Sequence, residues 1–138
     1  MNPIENTAAS KLLEKYSQGE GDFENWDLKG VSLQGVNLRG AGFEKANLHR
    51  ADLQKANLRA TNLCGTDLSE ANLIGTNLKG SYLNGANFNR ADLSGARLSR
   101  SQLSGTKLSK ADLRQVVFYK ANLEEVILVE HLPIELEL

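Results

Sequence analysis

Residues 41–80 read AGFEKANLHR (41–50), ADLQKANLRA (51–60), TNLCGTDLSE (61–70) and ANLIGTNLKG (71–80). A leucine or phenylalanine stands at Phe43, Leu48, Leu53, Leu58, Leu63, Leu68, Leu73 and Leu78, every fifth position without a miss. Outward from this stretch the series continues to Phe23 in one direction and Leu128 in the other, 22 positions with no insertion or deletion. A fixed period over such a length marks a repeat architecture, in which each unit buries its apolar side chain against its neighbours. Five matches neither the 3.6 of a helix nor the 2 of a strand. On a helix, at roughly 100° per residue, a step of five rotates the apolar position by about 140°, so these leucines would share no face. The chain must instead turn regularly, so that each fifth side chain points inward. Stacked coils about 4.8 Å apart, bonded backbone to backbone, meet that demand.

The other four positions agree. Two residues before the centre the side chain is small in 17 of 22 repeats, as at Ala41, Ala46, Ala51 and Thr61, which implies a second inward position in a narrow interior. Directly before the centre, Asn or Asp occurs 14 times, and such side chains bond nearby backbone and favour turns. Two residues after it, Gly occurs nine times, which suits a corner that other residues resist. The resulting motif, seen as Ala71-Asn72-Leu73-Ile74-Gly75, Ala91-Asp92-Leu93-Ser94-Gly95 and Ala86-Asn87-Phe88, resembles that of the bacterial pentapeptide repeat family. The resemblance covers residues 21–130. It implies an all-β fold, a right-handed quadrilateral parallel β-helix with four repeats per coil. The period alone does not choose between three sides and four. Four sides give about 5.5 coils, a column about 26 Å long at ~4.8 Å per coil.

At 138 residues one domain is expected, divided as an N-terminal helical cap over 1–20, the β-helix over 21–130, and a C-terminal tail, cap or dimer contact over 131–138. The net charge is −1, so the total gives no drive towards nucleic acid. The single cysteine, Cys64, excludes an internal disulfide. No secretory start and no run of 18 apolar residues is present, which points to a cytoplasmic protein without a membrane span.

A stacked column has apolar ends and open backbone edges that need covers. For the first end, the spacing predicts a helix beginning at Asn2-Pro3 or later, near Asn6 or Thr7, with Leu12, Leu13 and Tyr16 as its apolar stripe and Gly19 as its stop. Trp26, Val31 and Val36 stand where later repeats carry Ala or Thr, and form the expected seat for it. At the other end Val117, Tyr119, Ile127 and Val129 are apolar at outward positions, and Ile134, Leu136 and Leu138 alternate with glutamates. Val117, Tyr119, Ile127, Val129, Ile134 and Leu136 are therefore the candidate C-terminal interface, for self-capping or for a homodimer. Dimerisation through this end recurs in the family that the motif resembles.

With residues 20 apart stacked, the outer faces are unequal. The face centred on Leu38, Leu58, Leu78, Leu98 and Phe118 carries Arg39, Arg59, Lys79, Arg97, Arg100 and Lys120, and no acid. Its neighbour carries Asp22, Glu24, Glu44, Glu124 and Glu125 against Lys45. Like charges ~5 Å apart repel by roughly 0.8 kcal/mol in bulk water before screening, so an anionic partner would relieve the basic stripe. These six cations are the candidate interaction face. No phosphate loop, nucleophile elbow or dinucleotide fingerprint occurs, and His49 and His131 lie in no metal-ligand spacing, so neither enzyme activity nor a cofactor is expected. A convex column also offers no deep pocket.

The function expected is a non-catalytic structural or protein-interaction module with a protein partner. Two other readings compete. Some pentapeptide repeat proteins bind DNA gyrase or topoisomerase IV by imitating a DNA duplex, but that demands a long acidic rod, against which the charge and length here argue. The basic face could instead bind an anion or nucleic acid directly, although the near absence of aromatic interleaving there disfavours nucleic acid.

Overall fold

The structure, a computed structural model, describes residues 7–128. The Asn2-Pro3 start, Val129, Ile134, Leu136 and the rest of the tail lie outside the described residues.

Each five-residue unit makes one side of a coil because all of its backbone donors find partners in that arrangement. In the repeat centred on Leu53, Asp52 N donates to Val31 O of the coil before (2.8 Å). Leu53 N and Lys55 N donate to Asn72 O (2.8 Å) and Ile74 O (2.9 Å) of the coil after. Ala56 N closes the corner onto Leu53 O (3.0 Å). The fifth N–H, that of Gln54, lies at the bend and cannot reach a neighbouring coil; the Asp52 side chain accepts it (3.2 Å). All 14 Asn or Asp residues at this position accept the N–H two residues on, from Asp22 with Glu24 to Asn122 with Glu124. Their recurrence thus follows from backbone accounting, since an unpaired donor at a half-buried bend is costly.

Eighteen parallel pairs, from Asp22–Gly42 to Lys107–Ile127, each join residue i to residue i+20. Twenty residues per coil at five per side is a four-sided column. Each side is long enough for only one such pair before the chain turns. The residue two after each centre is left-handed throughout, with φ +67° at Gly30 and +55° at Ala60.

The centres fill the interior. From Phe23 to Leu113 each is at most 1% exposed, and Phe118 is 4% exposed. From Ala41 to Ala111 the small residues two before them are buried too, and the hydroxyls among them bond carbonyl oxygens, as Thr66 Oγ1 does with Phe43 O (2.7 Å). Among the described residues no buried side-chain polar atom lacks a partner. The pattern loosens at the end of the described residues, where Leu123 and Leu128 are 36% and 41% exposed.

Helix α1, Ala8–Ser17, covers the first coil. Thr7 caps it, its hydroxyl accepting from Ser10 N (3.1 Å). It ends at Gly19, φ +85°, whose N–H bonds Tyr16 O while Glu20 N bonds Lys15 O, the paired bonds of a Schellman terminus. Leu12 is wholly buried, and Leu13 and Tyr16 pack into one apolar cluster with Trp26, Val31 and Val36. The Trp26 ring meets Phe23 edge-on at 5.0 Å. Tyr16 Oη donates to Arg39 O (2.7 Å), anchoring the helix to the top of the basic face.

Candidate anion-binding trough

Along the basic face the positions one after the centre are Arg39, Arg59, Lys79, Ser99 and Tyr119, each stacked on the next coil's counterpart. The positions two after the centre are Gly40, Ala60, Gly80, Arg100 and Lys120. Long side chains in one file stand beside short ones in the other, and a trough opens between them. It has a volume of about 480 Å³ and is lined by Arg39, Arg59, Ala60, Lys79, Gly80, Ser99, Arg100 and Tyr119. The trough opens where Ala60, Gly80 and Ser99 follow one another down a face walled by arginine and lysine.

The trough brings together four of the six predicted cations. Arg39, Arg59, Lys79 and Arg100 line it. Lys120 stands just beyond, its Nζ 5.3 Å from the centre of the Tyr119 ring. Arg97 precedes its centre in the repeat, pairs with Asn77 and Val117 in the ladder, and does not line the trough. Among the described residues none of the six forms an ion pair with a carboxylate. Asn37, Asn57 and Asn77 lie directly behind the cations; Asn57 Nδ2 donates to Asn37 Oδ1 (3.0 Å), and each of the three amides fixes the N–H of its neighbouring cation.

Tyr119, one of the candidate C-terminal interface residues, closes the trough, half exposed at 51%, with the Arg100 guanidinium 5.8 Å from its ring centre. Val117 is half-buried on the same side, whereas Ile127 (43% exposed) stands ten residues, half a coil, away. Val117 and Tyr119 therefore do not share a side with Ile127, which borders Leu128 at the open end.

Sequence reasoning missed a second polar cluster, although 20-residue stacking could have found it. His49 lies above Ser69, and its Nδ1 is 2.8 Å from Ser69 Oγ. Ser69 Oγ in turn donates to Asp67 Oδ1 (2.6 Å), so the imidazole is the donor to Ser69. Glu70 Oε2 is 3.4 Å from both His49 Nε2 and Arg50 Nε. A nucleophilic serine must instead give its proton to the histidine, so the polarity of this chain is reversed for hydrolysis. Elsewhere Asp112 is held below its ordinary carboxylate range by the side-chain bond from Arg114 (Nη2 to Oδ2 2.5 Å), and the pair raises Arg114. No group of three or more His, Cys, Asp or Glu that could hold a metal occurs among the described residues. No helix there is long and apolar enough to cross a membrane.

Eight copies of the family profile described as pentapeptide repeats match residues 27–65, 62–100 and 96–130. The chain belongs to the pentapeptide repeat family. The chain is also similar to solved structures. A pentapeptide repeat protein from the thylakoid lumen of Arabidopsis thaliana is 28% identical, with 72% of this chain and 71% of that one covered, at a TM-score of 0.68. A pentapeptide repeat protein from Nostoc PCC 7120 is 32% identical over 87% of this chain and 74% of that one, at a TM-score of 0.45. QnrB1, a plasmid-mediated fluoroquinolone resistance protein, is 18% identical over 78% of this chain and 81% of that one, at a TM-score of 0.37. No protein of curated function matches the sequence significantly. As a pentapeptide repeat protein the chain is a quadrilateral β-helix, a structural repeat module of a family whose members have diverse or unassigned roles.

Proposed function

We propose that this pentapeptide repeat protein is a rigid, non-catalytic interaction module that docks another protein against its basic face. The observation that carries the reading is the trough itself: four cations without carboxylate partners among the described residues, fixed on successive coils around one recess. A column whose backbone donors are met coil by coil resists bending, so the cations are held in place before a partner arrives and less ordering cost attends binding. The test is affinity capture from the native host with the wild-type chain and with Arg39→Ala/Arg59→Ala/Lys79→Ala. A protein captured by the first and lost from the second supports the reading; equal capture removes the trough from it.

A second contact rests on a separate observation. Leu123, Ile127 and Leu128 leave an exposed apolar end on the last coil, and Val129, Ile134 and Leu136 extend that apolar sequence. We assign this end to a homodimer contact. Light scattering after size exclusion checks it: Ile127→Glu/Leu128→Glu should convert a dimer into a monomer, and a wild-type monomer at all concentrations refutes it. Right-handed winding, implied by the family, completes the reading. Duplex imitation gains no support from a face bearing six cations. A supercoiling assay with purified gyrase should show neither inhibition nor quinolone protection.

A further inference from the structure

We infer that the trough is a binding site for a short, extended acidic peptide segment laid along the column axis, and this inference rests on the reading of the basic face as a protein-docking surface. Three features of the site select that ligand. The first is span. Arg39, Arg59 and Lys79 stand on successive coils and Arg100 on the next, so the cations extend over three coil steps, about 14 Å at ~4.8 Å each. A single inorganic anion meets only one or two of them, whereas an extended peptide advancing ~3.4 Å per residue covers all four levels with four or five residues.

The second is width. A recess of about 480 Å³ is the size of a small-ligand cleft and accepts one extended strand of chain. A nucleic-acid duplex is too broad to enter it. The third is the surroundings. The adjacent face carries Asp22, Glu24 and Glu44 near the top of the same column, which repel any long polyanion that overruns the trough. Tyr119 terminates the recess with Arg100 and Lys120 already against its ring. It serves as a positioning residue, holding the Arg100 guanidinium over the trough, and its ring is not a free stacking platform for a base.

The direct test is fluorescence anisotropy with a fluorescein-labelled peptide of six alternating aspartate and glutamate residues, at 50 and 200 mM salt. A six-residue lysine–serine peptide, oligothymidine of equal charge and inorganic phosphate serve as competitors. The acidic peptide should bind and weaken by roughly fivefold between the two salt concentrations. Arg59→Gln/Lys79→Gln, which keeps long stems and the exposed surface, should weaken it at least about tenfold. Tyr119→Phe should bind as wild type while Tyr119→Ala loses a few-fold, a split that follows from the ring contact to Arg100. Absence of acidic-peptide binding, equal binding by the double glutamine variant, or tighter binding of oligothymidine overturns the inference. If the peptide fails while the triple alanine variant still loses the host protein, the ligand class is wrong and the docking face stands.

Discussion

Replacing Leu73 by alanine deletes the centre of a wholly buried file. Leu53, Leu73 and Leu93 are stacked by the pairs Asp52–Asn72 and Asn72–Asp92, and each is at most 1% exposed. Three carbons leave the core, worth ~0.8 kcal/mol each as transfer out of water, about 2.4 kcal/mol together. Backbone bonds to both neighbouring coils hold the walls apart, so the space cannot collapse fully. A residual void near 50 Å³ adds about 1.2 kcal/mol at ~24 cal/mol per Å³. The expected loss is therefore ~3.5 kcal/mol. The same change at Leu123, already 36% exposed, loses about two thirds of the transfer energy and encloses no void, for ~1.5 kcal/mol. Guanidinium unfolding followed by far-ultraviolet circular dichroism and by Trp26 fluorescence measures both, and coincidence of the two probes checks that the column unfolds as one unit. Equal costs at Leu73 and Leu123, or a larger cost at Leu123, would refute the assignment of burial along the column.

Three further outcomes are expected. Asn72→Ala removes the acceptor of the Ile74 N–H (3.1 Å) and should cost ~1 kcal/mol by the same unfolding assay, whereas Asn72→Asp keeps the oxygen and should cost less. Gly85→Ala should cost ~1 kcal/mol from backbone strain alone, since φ is +70° and an added Cβ would meet no atom within 4 Å; Ala60→Gly, at φ +55°, should be neutral or slightly stabilising. Asp112→Asn should keep the Arg114 N–H bond and lose the charge. Because the folded carboxyl titrates below its ordinary 3.8, its contribution is present above that value and disappears as pH falls through the lower folded one. The wild-type advantage in guanidinium midpoint at pH 7 should therefore vanish well below pH 3.8.

The interior was legible because each of its demands falls on one residue type at one place. A centre must be large and apolar, the residue two before it small, and the residue before it an acceptor for the fifth N–H, so the letters repeat with the geometry. The coil of 20 residues was not legible from the period, because three-sided and four-sided columns share it; the pairs from Asp22–Gly42 onward decide it. Outward residues obey no such demand. Tyr119 reads in the sequence as one of a run of outward apolar residues with Val117 and Ile127, yet the ring partner that stacking brings to it from the coil before is Arg100. The bond of His49 with Ser69 does not show in the local sequence because the two lie 20 positions apart. The exposure of Leu123 and Leu128 is likewise invisible in the motif, which places both at centres identical in letter to the buried ones.

The trough exists because the corner position after each side has only one requirement, a left-handed backbone, and this chain meets it in two ways. Twelve such corners carry non-glycine residues, and seven of those are lysine or arginine, Arg100 at φ +59° among them. Long cations are thus tolerated at the strained corner. On the basic face, however, the successive corners Gly40, Ala60 and Gly80 are small, and it is against Ala60 and Gly80 that the recess opens. Gly80→Arg separates the contribution of shape from that of charge. At φ +65°, with no atom within 4 Å of a new Cβ, the arginine should be accommodated as Arg100 is, at ~1 kcal/mol of strain. It adds a fifth cation to the trough and fills its floor. If charge density alone attracts an acidic segment, affinity for the acidic hexapeptide rises and its salt dependence steepens. If the ligand must lie within the recess, affinity falls despite the added charge, and the second result is the one that the geometry requires.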